Sequence, residues 1–352
     1  MSCEKSLEDR CFENFTDKIF ESYKEQNPLT VQEILKNKPK YLTISTLKNC
    51  RSFKEDSIST LSSDDVDEAE QLKKHQDHKL SYAKFDSLFH EQFGFYAKQS
   101  FNGKEYALAK NELGFWLTKI EDNDAKAYFL GLSFSHYYIN EIQTEPMIKN
   151  GELQLQGSLV KIIKVGGLPG YDDYSAIDDG KLFRIKLSDL EKDSDKDGYN
   201  DIFEESFGLD PYSTDTDSDG IDDFNDLNPL FKSEKNKFTS LFQQILPKYQ
   251  ESVEGNLRKM NYFFTVYDND CGYFQQIDPE HRTLIVSEDI DQLPYYLQVT
   301  DVVNGGVSKI RKTNSDPDQF YISVWGNSSE RDYAVKFKNG RWEIKETGGM
   351  TI

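Results

Sequence analysis

The sequence predicts a mixed α+β protein, mainly antiparallel β, in which two sheet-rich domains flank an irregular acidic segment. Three observations carry that prediction. Apolar residues alternate with polar ones over residues 91–188 and again over roughly the last 90 residues, the period of a strand with one buried face. Asn-Gly dipeptides at 102–103 and 339–340 sit inside those stretches and favour two-residue hairpin turns. Acidic residues concentrate between 193 and 226, where 13 Asp or Glu face one Lys.

At 352 residues the chain is long enough for two or three domains. Its hydrophobic content of 37% is low, but 20 Tyr and 24 Phe supply large side chains for a core. The net charge of −20 is uneven: residues 193–226 carry −12, which leaves −8 for the remaining 318. No basic stripe offsets that acidity, so nucleic acid is excluded as a partner. No apolar run reaches the length of a transmembrane helix.

Residues 1–50 read as an N-terminal helical region with a short strand. Leu7, Cys11, Phe12, Phe15, Ile19 and Tyr23 form one helical stripe, and Thr30 to Leu35 a second short helix before Pro39. Residues 51–80 are polar and read as a linker or exposed loop. Residues 81–188 read as a β-rich, sandwich-like domain. Phe93, Phe95 and Ala97 lead to the Asn102-Gly103 turn, and Tyr106 and Leu108 return; later strands fall at 114–120, 127–139, 153–165 and 181–187. Residues 231–352 read as a small α+β domain, with a helix over 237–260 interrupted near Pro247. Strands follow at 262–267, 282–286, 295–302, 320–325 and 333–344. In the last hairpin, Asn339-Gly340 pairs Phe337 with Trp342 and Val335 with Ile344, which places these large apolar residues on one face.

Two twelve-residue loops, 22 residues apart, lie in the segment 189–230 between these domains. The first has Asp193, Asp195, Asp197, Gly198, Asp201 and Glu204; the second has Asp215, Asp217, Asp219, Gly220, Asp223 and Asp226. Oxygens at positions 1, 3, 5, 9 and 12 suit a hard cation with six to eight oxygen ligands, and glycine at position 6 permits the sharp turn. The residues at position 7, Tyr199 and Ile221, offer backbone carbonyls. The pattern predicts two Ca2+ sites built from these ten acidic residues and the carbonyls of Tyr199 and Ile221. The second should be looser, because Asp226 is one methylene shorter than Glu204.

The segment resembles the bacterial form of the thrombospondin type 3 repeat over about residues 187–230, through its two Asp-x-Asp-x-Asp-Gly cores and the Gly208-Leu209-Asp210-Pro211 joint. That resemblance implies an architectural role. The 22-residue spacing also resembles dockerin modules, but only residues 205–214, including Gly208 and Pro211, separate the loops.

Extracellular loops of this type bind calcium with Kd of about 10⁻⁴–10⁻³ M. At millimolar calcium each site would add roughly 0.5–1.5 kcal/mol by mass action, whereas at cytosolic calcium the sites stay empty. This favours an extracytoplasmic or surface lipoprotein, with Cys3 as its lipid-anchored residue. The alternative is a cytoplasmic protein, since no signal peptide is visible. The four cysteines lack any CxxC pair; a Cys11–Cys50 bridge is one option and buried free thiols are the other.

Other chemistry is sparse. His75, His78 and His90 read as solvated surface, and His136 and His281 as ordinary core or surface histidines. The loop from Gly166 to Tyr174 carries two tyrosines and two carboxylates and is the best binding-loop candidate elsewhere. No nucleophile-elbow, zincin or phosphate-loop motif occurs. The reading is therefore a non-enzymatic calcium-binding protein of the bacterial cell envelope. In it two loops stiffen the connection between domains that recognise a protein or glycan. A cytosolic toxin-neutralising protein and a glycan-active hydrolase are the alternatives.

Overall fold

The structure, a computed structural model, describes residues 6–14, 28–61, 68–163, 173–246, 262–300, 302–313, 316, 318–326 and 328–351. It is mixed α and β with strand predominating, arranged in several largely antiparallel sheets. Two compact units divide most of the chain: a middle unit of residues 25–165 and 171–206, and a terminal unit of residues 1–24 and 207–352.

Helix α1 (Leu7–Cys11) passes directly into strand β1 (Phe12–Asn14). The expected long helical stripe therefore ends at Cys11; its remainder from Phe15 to Tyr23 lies outside the described residues. Cys11 is bonded to Cys271 and fully buried, and Phe12 enters a sheet instead of continuing the helix.

In the middle unit, α2 (Val31–Asn37) begins at a capping box between Thr30 and Glu33, and β2 spans Thr43–Thr46. The described part of residues 51–80 is largely helical, with α3 (Phe53–Leu61) and most of α4 (Glu68–Leu88), where a linker or exposed loop was expected. Four strands follow, β3 (Gly94–Phe101), β4 (Lys104–Asn111), β5 (Gly114–Glu121) and β6 (Asp124–Phe129), hydrogen-bonded in that order as one antiparallel sheet. The run expected as one strand over 127–139 is broken after Phe129, and β7 is Tyr137–Ile139. With β8 (Ile148–Lys149), β9 (Glu152–Ile163) and β10 (Asp173–Lys186) a second sheet forms in the order β2-β10-β9-β7, β8 also pairing with β9. Trp116 is fully buried, with Phe93, Phe129 and Phe203 rings at 5.5, 4.9 and 5.7 Å. Helix α5 (Leu187–Leu190) ends β10, and α6 (Asp201–Phe207) brings Phe203 into that aromatic cluster.

The terminal unit opens with α7 (Lys237–Ile245), capped by Asn236. Its eight-stranded sheet contains β1, β11 (Thr265–Asp268), β12 (Thr283–Val286), β13 (Gly305–Val307), β14 (Ile310–Lys312), β15 (Gln319–Gly326), β16 (Ser329–Lys338) and β17 (Arg341–Thr351). Pairs β11–β12, β11–β13 and β1–β14 are parallel, so this sheet is mixed. Short helices α8 (Gly272–Gln275) and α9 (Tyr295–Gln298) lie between strands. The strand expected over 295–302 is thus a helix, started by Pro294, whose fixed φ of −52° suits a helix N-terminus. The final hairpin has the expected register: Phe337 opposes Trp342 and Val335 opposes Ile344. Its apolar face joins Leu241, Phe242 and Ile245 of α7 in the core.

The five-part division expected from sequence is redrawn accordingly. The described residues 6–14 belong with the C-terminal half, and the acidic segment is shared, the first loop in the middle unit and the second in the terminal unit.

Candidate metal centre

The two acidic loops share several hydrogen bonds at the 22-residue interval. Position 5 donates its N–H to the position-3 carboxylate in each (Asp197 to Asp195, 3.2 Å; Asp219 to Asp217, 2.9 Å). Position 7 donates to position 5 at 2.8 Å in both (Tyr199 to Asp197, Ile221 to Asp219). The N–H of Asp201 reaches the Lys192 carbonyl, and that of Asp223 the Thr214 carbonyl, both at 2.9 Å. The backbone turns alike too: φ is positive at position 4 (Lys196, 72°; Ser218, 62°) and at position 6 (Gly198, 121°; Gly220, 100°). Only the latter angles demand glycine.

These turns bring the first three aspartates of each loop together. One carboxylate oxygen from each of Asp193, Asp195 and Asp197 lies within 4.8 Å of the others, and the same holds for Asp215, Asp217 and Asp219. Oxygens that share a cation at about 2.3–2.6 Å have spacings of this size. Lys196 N–H donates to Asp193 at 2.6 Å, and Gly220 N–H to Asp215 at 2.9 Å.

Glu204 tests whether the first loop fits a cation. It is 0% exposed, and neither of its carboxylate oxygens has a hydrogen-bond donor. Burial, then the charges of Asp195 and Asp197, push its pKa up to about 9. A buried carboxylate with no donor is costly unless it is protonated or faces a cation. Helix α6 delivers it there: Asp201 begins the helix and Glu204 follows in its first turn. Burial likewise raises Asp195. In the second loop, burial raises Asp217 to about 6, with Asp219 and Asp215 adding to it. Asp226 is also raised to about 6, mainly by burial, although Asn228 N–H donates to it at 2.8 Å. The donor sets therefore fit calcium in kind, all hard oxygens.

The aspartates at position 9 have a further task that the sequence pattern concealed. Asp201 accepts from Ser194 N–H (2.8 Å), Ser194 Oγ (2.9 Å) and Lys192 Nζ (2.5 Å). Burial opposes its ionisation, but these donors win and hold its pKa below the ordinary carboxylate value. Asp223 accepts from Thr216 N–H (2.9 Å) and Oγ1 (2.6 Å). Each thus closes its loop onto position 2. The hydroxyl residues Ser194 and Thr216, 22 apart, were the available signal. At position 7, Tyr199 is buried and stacks on Phe203 at 4.3 Å, whereas Ile221 is 47% exposed.

The remaining candidates separate cleanly. His75 and His78 are exposed on α4. His136 is buried beside Ser133, and His281 beside Thr265; burial lowers both to about 4. Residues 166–172 of the Gly166–Tyr174 loop lie outside the described residues, as does Cys3. Cys11 pairs with Cys271 rather than Cys50, which is a free thiol. Among the described residues no helix is long and apolar enough to cross a membrane. No family model, no curated protein and no solved structure matches the chain.

Proposed function

We propose that the chain is a calcium-binding, non-enzymatic protein of the bacterial cell envelope. Its two thrombospondin type 3-like loops take one Ca2+ each and order the stretch of chain that joins the two units. The observation that carries this reading is Glu204, a fully buried carboxylate without a donor beside three clustered aspartates. A divalent cation removes the cost of ionising it and cancels the mutual repulsion of the loop carboxylates. Asp193, Asp195, Asp197 and Glu204 hold the first ion, with the Tyr199 carbonyl; Asp215, Asp217, Asp219 and Asp226 hold the second, with the Ile221 carbonyl. Asp201 and Asp223 contribute through the loop closure described above, or through a bridging water as position 9 often does.

The Cys11–Cys271 disulfide supports an extracytoplasmic setting, because such bonds persist in oxidising compartments and are rare in the cytosol. It favours this location over a cytosolic toxin-neutralising role. Recognition of a protein or glycan then falls to the two units. Small-angle scattering of the full chain tests the ordering role. Calcium should narrow the distance distribution relative to chelator, and Asp195→Ala with Asp217→Ala should abolish the difference. Superimposable curves for the unaltered protein in both conditions would sink it.

A further inference from the structure

Each loop is bonded into a different unit, in both cases through a buried asparagine. In the first loop this is position 8. Asn200, 2% exposed, accepts Phe129 N–H at 3.1 Å through Oδ1 and donates through Nδ2 to the Phe129 and Leu190 carbonyls at 3.0 and 2.9 Å. It ties the residue between Tyr199 and Asp201 to the ends of β6 and α5, all within the middle unit.

Position 8 of the second loop is Asp222, which instead holds Asn225 of its own turn. The anchor there is Asn228, 1% exposed. Its N–H donates to the Asp226 carboxylate at 2.8 Å, and its Nδ2 donates to the Gln275 and Ile277 carbonyls at 2.7 and 3.0 Å. Buried Arg282 donates to the Phe224 carbonyl and lies over the Phe224 ring at 4.8 Å, and Thr283 N–H reaches the Leu227 carbonyl at 2.8 Å. Every one of these partners is in the terminal unit.

We propose that Asn200 and Asn228 are positioning residues that make each calcium ion a clamp on its own unit. The first ion stabilises the middle unit and the second stabilises the terminal unit. The proposal rests on the calcium reading above. Its physical basis is linkage: an ion that binds only a folded site stabilises whichever unit must fold to build that site. Asp226 reaches its place through Asn228, and Asn228 through the carbonyls at the end of α8. Replacing Asn200 by alanine removes its bonds to the Phe129 N–H and to the Phe129 and Leu190 carbonyls. Replacing Asn228 removes its bonds to the Gln275 and Ile277 carbonyls, the latter keeping Ser233 Oγ at 2.7 Å; either change frees the loop.

Hydrogen exchange read by mass spectrometry on the full chain, with millimolar calcium and with chelator, tests this alongside calorimetric calcium titration. In the unaltered protein calcium slows exchange in β5–β6 and in β11–β12. Asp195→Ala abolishes the effect in β5–β6 alone, and Asp217→Ala abolishes it in β11–β12 alone. Asn228→Ala weakens calcium about tenfold at the second site and leaves the first unchanged; Asn200→Ala does the converse. Loss of protection in both units from either aspartate variant overturns a clamp on each unit. Asparagine variants that lower protection in chelator while both affinities stay fixed overturn the positioning role, leaving the side chains merely structural. Should an asparagine variant fail to fold, the aspartate variants still decide. An unaltered protein that takes up no calcium refutes the underlying calcium reading, and the clamps with it, before any variant is made.

Discussion

In the proposed calcium site, Glu204 would link calcium to protons. Its pKa, raised mainly by burial from 4.5 to about 9, means that the ion-free folded protein holds a proton there that the unfolded chain has lost. Between those two values the folded state binds more protons, so the stability of the ion-free protein falls as pH rises. In the proposed site calcium would take the place of that proton. The melting-temperature gap between calcium and chelator should therefore widen from about pH 5 to about pH 8. Calcium titrations in buffers of different ionisation enthalpy should record release of about one proton near pH 7. Glu204→Gln gives the complementary result. The neutral amide should raise the melting temperature in chelator at about pH 8 while weakening the first site about tenfold or more. The two acidic clusters were legible because acidic residues and glycine recur at fixed spacing. The asparagine anchors were not, since Asn200 and Asn228 occupy different places relative to their loops and several of their partners, Phe129, Gln275 and Ile277, lie far away in the chain.

At the scale of elements, the hairpins were the most readable parts. Asn102-Gly103 and Asn339-Gly340 both have positive φ at each residue, as a type I′ turn requires. Asn150-Gly151 and Asp122-Asn123 do the same. They were overlooked because the first follows a strand of only two residues and the second has no glycine. Gly340 has open space where a Cβ would sit, so Gly340→Ala should cost only its backbone conformation, about 1–2 kcal/mol. Trp342→Ala removes a buried ring from the same hairpin and should cost about 3–5 kcal/mol. Urea denaturation of the two variants checks the difference. Helix α4 escaped a reading based on hydrophobic period because much of it is polar on every side. Its signal was propensity instead: Glu, Ala, Gln, Leu and Lys without Gly or Pro from 68 to 88.

At the scale of the whole molecule, the decisive connection is one that spacing could not reveal. Cys11 and Cys271 are 260 residues apart, and the bond holds the N-terminal segment to the terminal unit beside the β1–β14 pairing. Replacing both cysteines by serine should lower the stability of the terminal unit by about 2–5 kcal/mol. The calorimetric transition of the middle unit should stay where it was. The unit boundary falls between the two acidic loops, so the acidic segment is divided between two compact units and is not a separate domain. The central claim is that both loops bind calcium. The most direct measurement is the stoichiometry of calcium bound to the purified full chain, by titration calorimetry, for the unaltered protein, Asp195→Ala, Asp217→Ala and the double variant. The account predicts two ions, one, one and none, with Kd values of about 10⁻⁴–10⁻³ M or tighter. No uptake at millimolar calcium, or a stoichiometry that the double variant leaves intact, would contradict it.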